Sequence, residues 1–172
     1  MKKSDFPFEA VYDKLARFMI DKGLPQEDMP AALFVAKIID GEPEFDLGPP
    51  ISSLMNSRSG KLVLNRLIGT IVTALPDDMC VVFLSEAYLR GIKIEDGQDY
   101  EQARAALPAM LKDDPESQEV MMINIFRRGE NRTGSLPIGP NRTLTYAPLN
   151  KMAHTMGDLI PEESQTPKEK MQ

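Results

Sequence analysis

Four arginines, Arg127, Arg128, Arg132 and Arg142, fall close together, with Phe126 and Tyr146 beside them and Lys151 beyond. Arginine stays charged, stacks on flat rings and grips phosphate through two parallel hydrogen bonds, which lysine does not do. Cations for phosphates and aromatic rings for bases are what binding of a single-stranded nucleic acid requires. Spacing adds a pattern, because Gly129-Glu130-Asn131-Arg132-Thr133 and Gly139-Pro140-Asn141-Arg142-Thr143 share Gly-x-Asn-Arg-Thr. Gly and Asn tolerate positive φ, so each copy suits a tight turn that points its Arg outward. If a strand joins the turns, they stand at its opposite ends, roughly 15–25 Å apart at ~3.3 Å per residue. If Ser135-Leu136-Pro137-Ile138 is a loop, the two arginines converge. Both copies are also Asn-x-Thr sequons, a reading set aside because the chain shows no secretory segment.

A second basic group lies upstream. From Leu47 to Pro76 there is no acidic residue, and Arg58, Lys61 and Arg66 are the bases; from Val120 to Gly157 five bases face Glu130 alone. The acids concentrate elsewhere: between Glu95 and Glu119 eight of them meet only Arg104 and Lys112. The net charge of -6, from 20 Lys and Arg against 26 Asp and Glu, argues by itself against a nucleic-acid coat. Segregation by region removes that objection, although a charge run is ordinarily just a solvated face.

Most catalytic chemistry is closed off. One Cys excludes an internal disulfide, and one His, His154, excludes most zinc sites. Ser85 would need a base within hydrogen-bond reach to act as a nucleophile; Ser85 and Glu86 read instead as the end of a strand and the cap of the next element. Cys80 sits in an apolar run and reads as core. Glu95, Asp96 and Asp99 lack the order of a calcium loop, and no glycine-rich phosphate or dinucleotide motif occurs. No enzyme, metal or cofactor is expected. Met110, Met121 and Met122 suit an adaptable interface, but Met is usually core filler.

These side chains must be positioned by elements that the periodicity marks. Val11, Leu15, Phe18 and Met19 form the stripe of a helix over Phe8 to Lys22, stopped by Gly23. Ala32 to Ile39 reads as a strand turning at Asp40-Gly41 into a short partner around Glu44 to Leu47. Lys61 to Leu75 carries Leu64, Leu67, Ile68, Ile71, Val72 and Leu75 at helical spacing, with Lys61, Asn65, Gly69 and Thr73 on another face. Met79 to Leu84 is a continuous apolar run, a central strand buried on both faces. Asp99 and Gln102 make a capping box for a third helix that Pro108 shortens. Val120 to Phe126 is a strand, and Thr143 to Ala147 returns to strand character. The fold class is therefore α+β: a mainly antiparallel sheet of about 4–6 strands, with two long helices and one shorter helix packed on one of its faces. Residues 1–150 form one domain, and 151–172 a polar tail.

At Val81-Val82-Phe83-Leu84-Ser85-Glu86-Ala87-Tyr88, followed by acids and then Gln118-Glu119-Val120-Met121-Met122, the chain resembles a loosely defined group of uncharacterised phage and bacterial proteins. In that group a strand ends in Ser-Glu-Ala-aromatic and a polar connection leads to an apolar strand. The resemblance covers the middle third and brings no activity or catalytic residues. It implies a small phage accessory protein, a class in which binding to nucleic acid or to a host enzyme is common.

The expectation is a non-enzymatic nucleic-acid-binding protein preferring single-stranded DNA, a phage accessory or a transcription or replication cofactor. Arg127, Arg128, Arg132, Arg142 and Lys151 would hold phosphates and Phe126 or Tyr146 would stack bases. Arg58, Lys61 and Arg66 would extend the path if the long helix faces the same side. Homo-oligomers would join the patches into a track, and a polymerase is one candidate protein partner. The rival is an inhibitor or adaptor of a host enzyme that acts through the acidic face. The apolar runs fall far below the ~18 residues of a membrane span, and the basic start is interrupted by Asp5, Glu9 and Asp13, so a cytoplasmic location is expected.

Overall fold

The computed structural model describes residues 5–92, 94–108 and 110–149. Helix α1 (Phe8–Lys22) ends where Gly23, at φ 72°, turns its N–H back to the Met19 carbonyl at 2.9 Å. Strands β1 (Ala32–Ile39) and β2 (Glu42–Leu47) form a hairpin through Asp40 and Gly41, both at positive φ. That is the turn geometry whose twist matches paired strands. Helix α2 (Arg58–Ala74) is capped by Ser57, whose hydroxyl accepts from the Gly60 N–H at 3.0 Å. Strand β3 (Met79–Leu89) then enters the middle of the sheet. A short helix α3 (Tyr100–Ala105) follows, opened by the expected Asp99–Gln102 capping box. Strands β4 (Gln118–Arg127) and β5 (Glu130–Pro137) close the sheet as a second hairpin. The strand order is β2-β1-β3-β4-β5 and every neighbouring pair is antiparallel.

Alternation along β3 and β4 sends apolar side chains to both faces, and each face has its own long helix. On one face Val82, Leu84, Met121, Ile123, Ile125 and Leu136 pack against α1. On the other, Leu33, Val81, Phe83 and half-buried Phe126 pack against Leu64 and Ile68 of α2. The helices are thus divided between the faces rather than gathered on one. The unbroken run Met79–Leu84 requires this arrangement, since a strand apolar on both sides needs two covers.

Other elements differ from expectation for local reasons. In α1 the buried stripe runs through Phe8, Val11, Tyr12, Leu15, Ala16 and Met19, while Phe18 is 57% exposed. Phe18 lies ~100° around the helix from Met19. Strand β3 continues through Ser85-Glu86-Ala87-Tyr88 instead of ending there, because Gln118 to Met122 of β4 supply partners to Leu89. Thr143 to Ala147 is not a sheet strand; it contributes only the bridge between Leu144 and Ile138. It crosses toward α1, where the Tyr12 hydroxyl donates to the Ala147 carbonyl at 2.6 Å. Tyr12 itself is fully buried against Gly134 of β5, where a Cβ would lie 2.2 Å from the ring.

Candidate nucleic-acid interface

Two adjacent arginines part where β4 ends, Arg127 as its last residue and Arg128 as the first of the turn. Arg127 points to the α1 side, where it is 6% exposed, lies over the Phe6 ring at 4.7 Å and donates to the Asp77 carbonyl at 3.0 Å. Its guanidinium is also 3.7 Å from Glu130. Arg132 of β5 shares that side, over the Phe8 ring at 5.1 Å and paired with Glu130 at 3.2 Å. Two cations therefore share one carboxylate and two aromatic rings, and their charge is answered within the chain. Arg128 is exposed and turns the other way, donating to the Thr73 carbonyl at 2.6 Å. That carbonyl belongs to the last turn of α2, where acceptors lack helical partners and the dipole favours a cation.

This bond joins α2 to the tip of the β4–β5 hairpin, and between them lies a cleft of about 370 Å³. Asn65, Ile68, Gly69 and Val72 form one wall, Arg127, Gly129, Glu130 and Asn131 at the hairpin tip the other, and Phe126 also lines it. Nothing lies within 4 Å of where a Gly69 Cβ would be, so the helix backbone itself is open to the cleft. At ~100° per residue, Arg58 and Lys61 fall on the same stripe of α2 as Asn65 and Gly69. Arg66 sits on the adjoining outer surface. Arg58 and Arg66 are exposed and Lys61 is half-buried.

The second copy of the Gly-x-Asn-Arg-Thr pattern behaves differently from the first. Gly129 turns at φ 71°, whereas Gly139 is extended at φ -96° and the positive φ values fall on Asn141 and Arg142, both 56°. The first copy runs into β5 while the second lies beyond its end, so Arg132 is held in the sheet apart from Arg142 rather than converging with it. Arg142 is enclosed by three carboxylates: it hydrogen-bonds Glu86 and lies 3.5 Å from Glu119 and 3.9 Å from Asp28. The bond to Glu86 is the main reason its pKa is raised above the ordinary arginine value. Oxygens of the three acids lie within 4.8 Å of one another, as metal ligands would, but the guanidinium supplies the positive charge there. Tyr146 is 48% exposed, and its hydroxyl donates to Asp13 at 2.7 Å, which raises its pKa. Lys151 and His154 lie outside the described residues.

No known protein family, curated protein or solved structure matches this chain.

The side chains best suited to covalent chemistry are enclosed. Cys80 is fully buried, and burial pushes its thiol up to about 12, so it is neutral at physiological pH. Ser85 is 4% exposed and lies on the α2 face of the sheet, where its hydroxyl has no hydrogen-bond partner among the described residues. The polar stripe of α2 was legible as a stripe; that Asn65 and Gly69 would face Asn131 was not, because no sequence signal pairs a helix stripe with a distant hairpin.

Proposed function

We propose that the protein binds single-stranded nucleic acid without a catalytic step, at the cleft between α2 and the β4–β5 hairpin. The observation that carries this reading is the meeting of the two acid-poor segments of the chain: α2 and the hairpin are joined by Arg128 and line one cleft. Arg58, Lys61, Arg66 and Arg128 supply phosphate contacts. Phe126 offers an aromatic surface to a base, and the amides of Asn65 and Asn131 offer donors and acceptors to its edge. Arg127, Arg132, Arg142 and Tyr146 support the fold around this site, since their polar groups are engaged by Glu130, Glu86 and Asp13. No described helix is long and apolar enough to cross a membrane. A DNA preference, a cytoplasmic location and a role as a phage accessory factor belong to the same proposal.

Fluorescence anisotropy with labelled single-stranded DNA, single-stranded RNA and duplex DNA at two salt concentrations tests it. Single strands should bind more tightly than duplex, and affinity should fall as salt rises. Each of Arg58→Ala, Arg66→Ala and Arg128→Ala should weaken binding across sequences and lower the salt slope by about 1. Phe126→Leu should weaken it by about 5-fold or more, the stacking contribution of one base. Unchanged affinity in the triple arginine variant, with the fold intact, would overturn the proposal.

A further inference from the structure

Between β3 and β4 the chain leaves the sheet for the whole of residues 90–117, although antiparallel neighbours need only ~2–5 residues to connect. Connections of this length within a folded domain commonly carry a function. This one holds a cavity of about 450 Å³ walled by Ile92, Ile94, Tyr100, Leu107 and Leu111. Two arginines, Arg90 and Arg104, complete the lining, and among the described residues no carboxylate takes part in it. Many apolar groups with a few polar ones, in a space of this size, are the makings of a small-molecule site. The two arginines are not equivalent. Arg90 is fully occupied: its Nε donates to buried Asp114 at 3.0 Å, one terminal nitrogen donates to Glu116 and the other to the Gly91 carbonyl at 3.3 Å. Arg104, half-buried in the last turn of α3, donates to the Pro108 carbonyl at 3.2 Å and has no carboxylate partner among the described residues.

A guanidinium half-withdrawn from water beside apolar walls gains from an anionic partner that brings its own hydrogen-bond acceptors. One positive charge is left unanswered, so the matching ligand carries one negative charge on an apolar body. We infer that this cavity binds a small amphiphilic carboxylate, its head group on Arg104 and its hydrocarbon against Ile92, Leu107 and Leu111. The same hydrocarbon would cover Ile94 and Tyr100, which are 50% and 46% exposed. A phosphate monoester carries nearly two charges at neutral pH, and the exposed Glu95, Asp96, Asp99 and Glu101 of the excursion disfavour the second one. An adjoining cavity of about 400 Å³ shares Arg90, Ile92 and Leu107 but has Glu95 in its wall. It therefore repels the head group and offers further room to the tail alone. No residue lining the carboxylate cavity also lines the cleft beside α2, so this inference does not rest on nucleic-acid binding.

The test is calorimetric titration of the nuclease-treated, full-length protein at neutral pH with octanoate, decanoate, decanol, decylammonium and decyl phosphate, each below its micelle concentration. Decanoate should saturate one site per chain and bind about 10-fold or more tightly than decanol, the effect of one charged hydrogen bond. Octanoate should bind about 15-fold more weakly than decanoate, since each buried methylene contributes about 4-fold. Decyl phosphate should bind no more tightly than decanoate. Arg104→Gln should bring decanoate to the affinity of decanol and leave decanol unchanged. Ile94→Asp, a change at an exposed position, puts a negative charge at the cavity and should weaken decanoate more than decanol; it serves as the second variant should Arg104→Gln fold poorly. Arg58→Gln on α2 should alter none of these affinities. Absence of saturable decanoate binding, decanol or decylammonium binding as tightly as decanoate, tighter binding of decyl phosphate, or a preference for decanoate that survives both cavity variants overturns the inference.

Discussion

The two faces of the sheet handle similar residues in opposite ways. On the α1 side the arginines of the β4–β5 hairpin are absorbed: Arg127 lies on Phe6, Arg132 on Phe8, and Glu130 serves both. On the α2 side Arg58, Arg66 and Arg128 remain exposed. Packing follows the same division. Tyr12 fills the space beside Gly134 completely, whereas Gly69 opens on a cleft. One face is closed by its contents, and the other keeps charge and space at the surface. Residue type alone therefore does not mark a binding group; the face on which the fold places it decides.

The largest test of this contrast is the same substitution made on each face. In Gly134→Ala the new methyl would lie 2.2–2.9 Å from the Tyr12 ring, which is fully buried and cannot swing away. Overpacking of this kind costs about 3 kcal/mol, read as a lower denaturant midpoint. Gly69→Ala meets nothing within 4 Å and sits in an exposed stretch of helix. It should stabilise by about 0.5–1 kcal/mol, the helix propensity difference. Equal effects at the two sites would remove the distinction between a sealed and an open face.

Arg142 is the next test, because it carries the absorbed-cation principle to the other end of β5. Arg142→Met leaves Glu86, Glu119 and Asp28 facing one another without their cation. The loss should be about 2 kcal/mol, the scale of a charged hydrogen bond broken at a partly buried site. Adding Glu86→Gln should recover part of it, a coupling that a double-mutant cycle measures.

Alkali probes the buried face by titration. Cys80 holds its proton in the fold up to about 12, against 9.0 for a free thiol. Burial likewise raises the Tyr12 hydroxyl pKa well above its ordinary value. Above pH 9 the unfolded chain releases protons that the folded chain retains, so the stability present below pH 9 is lost as pH rises toward 12. Each fully shifted group contributes a slope of about 1.4 kcal/mol per pH unit. Cys80→Ala should lessen the slope in denaturant melts taken between pH 9 and 11.

The elements that local patterns specify were legible in the sequence, and the relations between distant elements were not. The helix over Phe8 to Lys22, the Asp40-Gly41 hairpin and the Asp99–Gln102 cap each depend on neighbours a few residues apart, and all are present. The run Met79–Leu84 also implied two covered faces, although a single face was expected to hold the helices. Strand β5 was less visible because Asn131, Arg132, Gly134 and Pro137 are poor strand formers; pairing with the apolar β4 overrides them. At the site, the residue types Phe126, Arg58, Lys61 and Arg66 were readable, but the opposite directions of Arg127 and Arg128 were not. Arg127 is the last residue of β4 and Arg128 the first of the turn, and where the strand ends is set by its pairing with β5.

That difference between neighbouring residues supports the smallest and most discriminating prediction. Arg127→Met removes a cation that is 6% exposed, stacked on Phe6 and bonded to the Asp77 carbonyl. It should cost about 1–2 kcal/mol in stability, with oligonucleotide affinity unchanged under conditions where the variant is folded. Arg128→Ala removes an exposed cation whose bond reaches a solvent-facing helix end. It should cost under about 0.5 kcal/mol, as surface changes do, yet weaken oligonucleotide binding and lower its salt slope. Stability and affinity thus separate between neighbours in the chain. If Arg127→Met lowered affinity and left stability intact, the sealed face would be the binding face, and the assignment of function to the α2 side would be reversed.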